Sequence, residues 1–180
     1  MAKITHHIIH CSASPFGDYD VIRKWHVEER GWKDVAYHNI ILNGNTKSIA
    51  YFESDLDGLI QSARPLDGNT VIEGAEISGS GALGMNNNSI GTCVIGGYKG
   101  EFDFTTEQYR SLVILCTEYV LRYPHIKTVG HNELPNVNKA CPVISMEALR
   151  QHITDLLNNG GLDWQYALKE AKEGLSGGSE

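Results

Sequence analysis

Basic side chains are scarce in this sequence: 15 Lys and Arg stand against 22 Asp and Glu in 180 residues, a formal charge of −7. Nucleic-acid and anionic-membrane binders need clustered basic residues, so neither class is expected. Long apolar runs are also missing, and no window approaches the roughly 18 residues a membrane-spanning helix needs. The opening MAKITHHIIH turns polar too soon for the apolar stretch of a secretory signal. The expected location of the newly made chain is therefore the cytoplasm. Several local signatures are absent as well: His-Glu-x-x-His, Gly-x-Ser-x-Gly, the phosphate-binding glycine loop and Cys-x-x-Cys. The four cysteines, at 11, 93, 116 and 141, are too scattered for a disulfide framework and read as core thiols or metal ligands.

What remains is ordinary globular material, 41% apolar and 21% charged, in a length suited to one domain with a sizeable core. Residues 4–11 read as a β-branched strand, with His6, Ile8 and His10 on one face and His7, Ile9 and Cys11 on the other. Asp18 or Asp20 can cap a helix reaching about Arg30, which Gly31 stops. A second strand is expected over 36–42, ending in a tight Asn43-Gly44 turn. The stretch 45–67 is less regular, with a helical turn near 56–63, and Val71 to Glu73 has strand character. Glycine and asparagine make 78–88 a loop, and 89–96 reads as a buried strand.

Thr105 and Gln108 have capping-box spacing before an apolar-faced helix that Pro124 closes. A short strand at 128–130 leads into loop 131–144, and a last core helix starts from Ser145. Gly160-Gly161 then sets off an amphipathic tail, 160–180, from a domain spanning 1–159. Strands and helices alternate in mixed order. The expected class is α/β, a single domain with a mixed central sheet flanked by helices.

Histidine is the informative residue type, with eight copies. Spacing alone groups a strand histidine with His131 and Cys141, ten residues apart, as a metal hypothesis. It leaves open the plainer reading of packed histidines and a small buried thiol.

Four ordered blocks narrow the choice. They are Ile9-His10-Cys11-Ser12-Ala13-Ser14; Gly31-Trp32-x-Asp34-Val35-Ala36-Tyr37-His38; Asn88-Ser89-Ile90-Gly91 with Val94-Ile95-Gly96-Gly97; and Gly130-His131 followed by Lys139-Ala140-Cys141-Pro142. Over roughly 4–158 the chain resembles the zinc-dependent N-acetylmuramoyl-L-alanine amidase family, above all the small bacteriophage amidases, and more distantly the peptidoglycan recognition proteins. The resemblance implies one Zn²⁺ held by His10, His131 and Cys141, with Tyr37 and Lys139 as catalytic polar residues. Two imidazoles and a thiolate leave a fourth position open for water, as catalytic zinc requires. Bacterial peptidoglycan is the implied substrate, cut at the amide between N-acetylmuramic acid and L-alanine. A monomer released to the wall of a phage host by a membrane pore fits these features, and so does a cytoplasmic wall-recycling enzyme. A non-catalytic peptidoglycan-binding module, or an inhibitor of a host protein such as RNA polymerase, is the alternative; Cys141 and Lys139 favour the enzyme.

The sequence also departs from the family. Gly81 stands where many relatives carry a histidine. Matching Asp67-Gly68 and Thr70-Val71 to the family's Asp-Gly-Thr-Val implies an insertion over 45–66, a lid or groove wall. Of the other polar residues, His6 reads as a surface or neighbouring histidine and His38 as core. Glu133 is either a base or a solvated loop carboxylate. Cys11 is expected to point away from the ligands, with Cys93 and Cys116 inert. His26, His125 and His152 are expected at the surface.

Overall fold

The computed structural model describes residues 2–78 and 84–175; Gly81 and the last five residues of the tail lie outside them. Seven strands are present among these residues: β1 (Ala2–Lys3), β2 (His6–Cys11), β3 (Asn39–Asn43), β4 (Asp57–Ser62), β5 (Val71–Ile72), β6 (Ser89–Val94) and β7 (Lys127–Gly130). Five form the central sheet in the order β4-β3-β6-β2-β7, while β1 and β5 make a separate antiparallel pair. β2 runs parallel to β6 and β7, and β3 runs parallel to β6; only β4 is antiparallel to its neighbour. The expected mixed sheet is therefore observed.

Helices cover both faces. On one side lie α2 (Thr106–Arg122), α3 (Met146–Asn159) and α4 (Trp164–Glu173), which enclose Ile9, Ile41, Ile90, Leu112, Val113 and Leu149. On the other side α1 (Tyr19–Arg23) places Ile22 against Ile40, Leu42, Cys93 and Ile95. Period-2 alternation explains the split, since Ile40 and Ile41 must face opposite layers. Each fully buried aliphatic side chain contributes roughly 1.5–3 kcal/mol. The capping box holds as read: Thr105 Oγ1 accepts from the Gln108 N–H at 3.0 Å, and the Gln108 side chain accepts from the Thr105 N–H at 3.1 Å. Ser145 caps α3, accepting from Ala148 N–H at 3.3 Å. The tail includes a packed helix, α4, whose Ala167 and Ala171 are buried in the principal core.

Three local expectations are corrected. The helical turn at 56–63 is instead strand β4, paired with β3 through Asn39–Ser62 and Ile41–Ile60. Asp57-Gly58 therefore opens the returning strand, whereas Asp67-Gly68 leads into β5. The excursion after β3 shrinks to 44–56, and Gly44, at φ 78°, begins this longer loop rather than a tight hairpin turn. The helix expected to reach Arg30 holds α geometry only to Arg23 and then widens into a π-helix over Lys24–Glu29. Arg30 N–H donates to the Trp25 carbonyl at 3.1 Å, a five-residue span.

Candidate metal centre and active site

Parallel strands gather their carboxyl ends on one edge of the sheet, where α/β folds bind ligands. His10 lies at that end of β2 and is 3% exposed. β7 ends at Gly130, beside β2, so the next residue, His131, enters the same edge from a 3₁₀ turn. Cys141 arrives from the following loop, whose position is fixed by two backbone contacts. Asn132 N–H donates to the Cys141 carbonyl at 2.9 Å, and Cys11 N–H donates to Cys141 Sγ at 3.2 Å.

Ligand atoms of His10, His131 and Cys141 all fall within 4.8 Å of one another, the one such cluster among the described residues. Cys141 Sγ is 3.9 Å from His10 Nδ1. One ion with bonds of about 2.0 Å to nitrogen and 2.3 Å to sulfur asks for donors spaced close to this, so the set fits a single zinc-sized cation. Three side chains 121 to 131 positions apart, or ten, have come together at one point, as the sequence motifs imply.

A cleft of about 300 Å³ opens over this cluster, lined among others by Arg30, Trp32, Tyr37 and Lys139. The rings of Tyr37 and His10 are 5.1 Å apart between centroids, and those of His10 and His131 4.5 Å. All five residues singled out from the sequence thus border one cavity.

Residues 1–143 match the model of the N-acetylmuramoyl-L-alanine amidase family. The endolysin of Escherichia phage T7 is 36% identical over 146 residues, 77% of this chain and 80% of that protein. The endolysin of Klebsiella phage KP32 is 32% identical over 147 residues with the same coverage. The chain belongs to the N-acetylmuramoyl-L-alanine amidase family. In fold the amidase is similar to the endolysin of Thermus scotoductus bacteriophage Ph2119, with a TM-score of 0.63 at 20% identity over 85% of this chain and 86% of that one. It is also similar to Drosophila PGRP-LB, with a TM-score of 0.53 at 23% identity over 79% and 76% of the two chains.

The electrostatics of the site favour neutral imidazoles, the form in which histidine can hold a metal. Burial, with smaller contributions from His131, His7, Lys139 and His26, lowers His10 to about 3. Burial and Lys139 also lower His131. The adjoining Cys11 thiol and burial hold the Cys141 thiol above its ordinary value, so a cation is needed to keep it as thiolate. Burial likewise raises Tyr37, which stays a phenol able to donate. Arg30 and Lys139 put two cations at the cleft of an otherwise acidic chain.

Several side chains differ from their sequence expectations. Cys11 packs in the principal core with Ile9 and Val94, as alternation expects, yet it also borders the cleft beside Cys141, and its Sγ lies so close to Gly97 that a Cβ there would approach to 2.6 Å. His26 is buried, because the π-helix turns it inward. Its Nδ1 accepts the Ala36 N–H at 3.2 Å and its ring packs on Trp32 and Tyr37. His152 is also buried, accepting from Tyr109 O–H at 2.7 Å and donating to Glu170 at 2.9 Å. Glu133 is an exposed loop carboxylate, as one of its two readings had it, but a tethered one. It accepts Gly130 N–H at 2.9 Å and receives both Arg150 amino groups at 3.0 and 3.1 Å.

Other readings hold. His38 is a core residue, accepting from Gly91 N–H at 2.9 Å and donating to the Glu76 carbonyl at 2.7 Å. Cys93 and Cys116 are fully buried, His125 is exposed, and half-buried His6 bonds with its neighbour Thr5 at 2.8 Å. Sequence reasoning overlooked Arg30, whose guanidinium lies 5.2 Å from the Trp32 ring centre at the cleft. Its signal was the Arg-Gly-Trp run ending the first helix.

Proposed function

We propose that this amidase is a zinc-dependent phage endolysin, with His10, His131 and Cys141 as metal ligands and Tyr37 and Lys139 as catalytic residues. The convergence of three distant donors beneath a cleft bearing a phenol and an ammonium carries this reading. When bound, zinc supplies Lewis-acid chemistry and makes hydroxide accessible near neutral pH.

The remaining work falls to side chains. Peptidoglycan enters the cleft with its lactyl amide carbonyl over the ligand cluster. Charge developing on the carbonyl oxygen needs preorganised donors, and Tyr37 and Lys139, which line the same cleft, are the groups assigned to supply them. Lys139 also has protons to give, which suits delivery to the leaving amine of L-alanine. Arg30 adds positive charge that favours carboxylate-bearing stem peptides.

One chain supplies every one of these groups, which supports a monomer as the working unit. No helix among the described residues is long and apolar enough to cross a membrane. Mass analysis of purified muropeptides after incubation tests the reaction. Free stem peptides with intact disaccharides are expected; cleaved sugars would contradict the reading.

A further inference from the structure

A second groove, of about 360 Å³, lies in the loop between β3 and β4 and is lined by Thr46, Lys47, Ala50, Tyr51, Phe52 and Glu53. The loop is built rather than loose. Glu53 N–H donates to the Gly44 carbonyl at 2.9 Å and closes its base. The Asn45 side-chain amide donates to the Tyr51 carbonyl at 3.0 Å and reaches those of Ser48 and Ile49 at 3.5 Å. This frame holds Tyr51 74% and Phe52 58% exposed. One edge of the Phe52 ring packs on Gly44, but both rings keep more than half of their surface open, and a concentrated apolar surface of this kind marks a contact site.

The chemistry around the rings narrows the partner. Lys47 and Glu53, both exposed, supply an ammonium and a carboxylate to the same groove. A pyranose ring has one C–H face to lay on an aromatic and an equatorial rim of hydroxyls to bond with such groups. A bilayer surface would call for clustered basic residues instead, and Lys47 stands alone here.

The position also fits. β3, β6 and β2 are mutually parallel, so the loop leaves the same sheet edge that carries His10. It is tied to the intervening segment by Asn43 Nδ2, donating to the Pro15 carbonyl at 3.0 Å, and by Gly17 N–H, donating to the Asn45 carbonyl at 2.8 Å. Ser12 and Ala13 of that segment line the cleft. The groove is therefore joined to the substrate cleft by six residues, 12–17.

We propose that the 44–53 loop is a glycan-binding subsite that holds the sugar strand of peptidoglycan beside the cleft. The proposal rests on the amidase reading, which fixes the polymer, and adds a site for its carbohydrate part. The test uses the full chain and peptide-free glycan strands prepared from sacculi, together with a soluble disaccharide-peptide and intact sacculi. Tyr51→Ala with Phe52→Ala is expected to weaken glycan-strand binding about tenfold or more. The double variant should cleave the small soluble substrate at the wild-type rate and intact sacculi several-fold more slowly. Tyr51→Phe keeps the ring and should bind as wild type, and unchanged melting temperatures would confirm folding.

Wild-type glycan binding by the double variant overturns the proposal, as does an equal loss of rate on both substrates. Should wild-type protein cleave no muropeptide yet bind glycan through these rings, the amidase reading fails and the subsite stands.

Discussion

The backbone N–H of Cys11 donates to Cys141 Sγ at 3.2 Å. A residue of strand β2 thereby positions a thiol from a loop 130 positions away, next to the strand's own His10. An N–H aimed at sulfur favours the thiolate, whereas the Cys11 thiol and burial oppose it. A bound cation tips that balance, so metal and thiolate are expected to come and go together.

Removing any one donor should therefore remove both metal and turnover. His10→Ala, His131→Ala and Cys141→Ser are each expected to lose zinc and hydrolysis in parallel. Metal analysis and muropeptide assays on the same preparations check this, and sustained turnover by a metal-free variant would contradict it.

Tyr37 and Lys139 are expected to behave differently. Tyr37→Phe and Lys139→Ala should retain zinc and lose rate by roughly 10²–10³-fold, the usual cost of a missing oxyanion donor. An unchanged rate for Tyr37→Phe would remove that residue from the chemistry.

Glu133 serves geometry. Its carboxylate holds Gly130 N–H, the residue before His131, and is gripped by Arg150, which also donates to the Thr128 carbonyl at 3.3 Å. The Arg150 pair holds the Glu133 carboxyl below its ordinary value against the opposing effect of burial. Glu133→Gln and Arg150→Met are expected to weaken zinc binding about 10–100-fold, in the range for groups that orient ligands. The zinc-saturated variants should keep most of their rate. Chelator competition measures the first and saturation kinetics the second; a large rate loss at full zinc occupancy for Glu133→Gln alone would make it a base after all.

Stability should decline with acid. Burial, aided by His38, lowers His7 to about 3, and burial lowers His38 to about 4 although the Glu76 carbonyl opposes it. Both values lie below the unfolded value of about 6.5, so the unfolded chain binds more protons in between. Native stability is fully present above about pH 6.5 and falls toward pH 4, by up to about 1.4 kcal/mol per pH unit for each histidine. Denaturant midpoints measured with chelator present, from pH 7 to 5, should fall steadily. A flat profile would contradict the burial argument.

The sheet was legible because it follows from short-range pattern, and the candidate ligand cluster because its residues lie in ordered motif blocks that the fold brings together. Alternation over 4–11 marks β2, and the Thr105/Gln108 pair marks the start of α2. What it hid depends on long-range pairing. β4 has a polar, half-exposed pattern that only its register with β3 makes a strand. Nothing local in the sequence marks His26 or His152 as buried; a widened turn buries the first and the docking of α4 the second. Cys11 obeys strand alternation until β2 ends, where the cleft begins.

The most direct measurement is the zinc content of natively purified protein, taken beside that of Cys141→Ser. About one zinc per chain is expected in the first and almost none in the second. Wild-type protein that hydrolyses muropeptides while neither containing nor taking up a divalent ion would contradict the account.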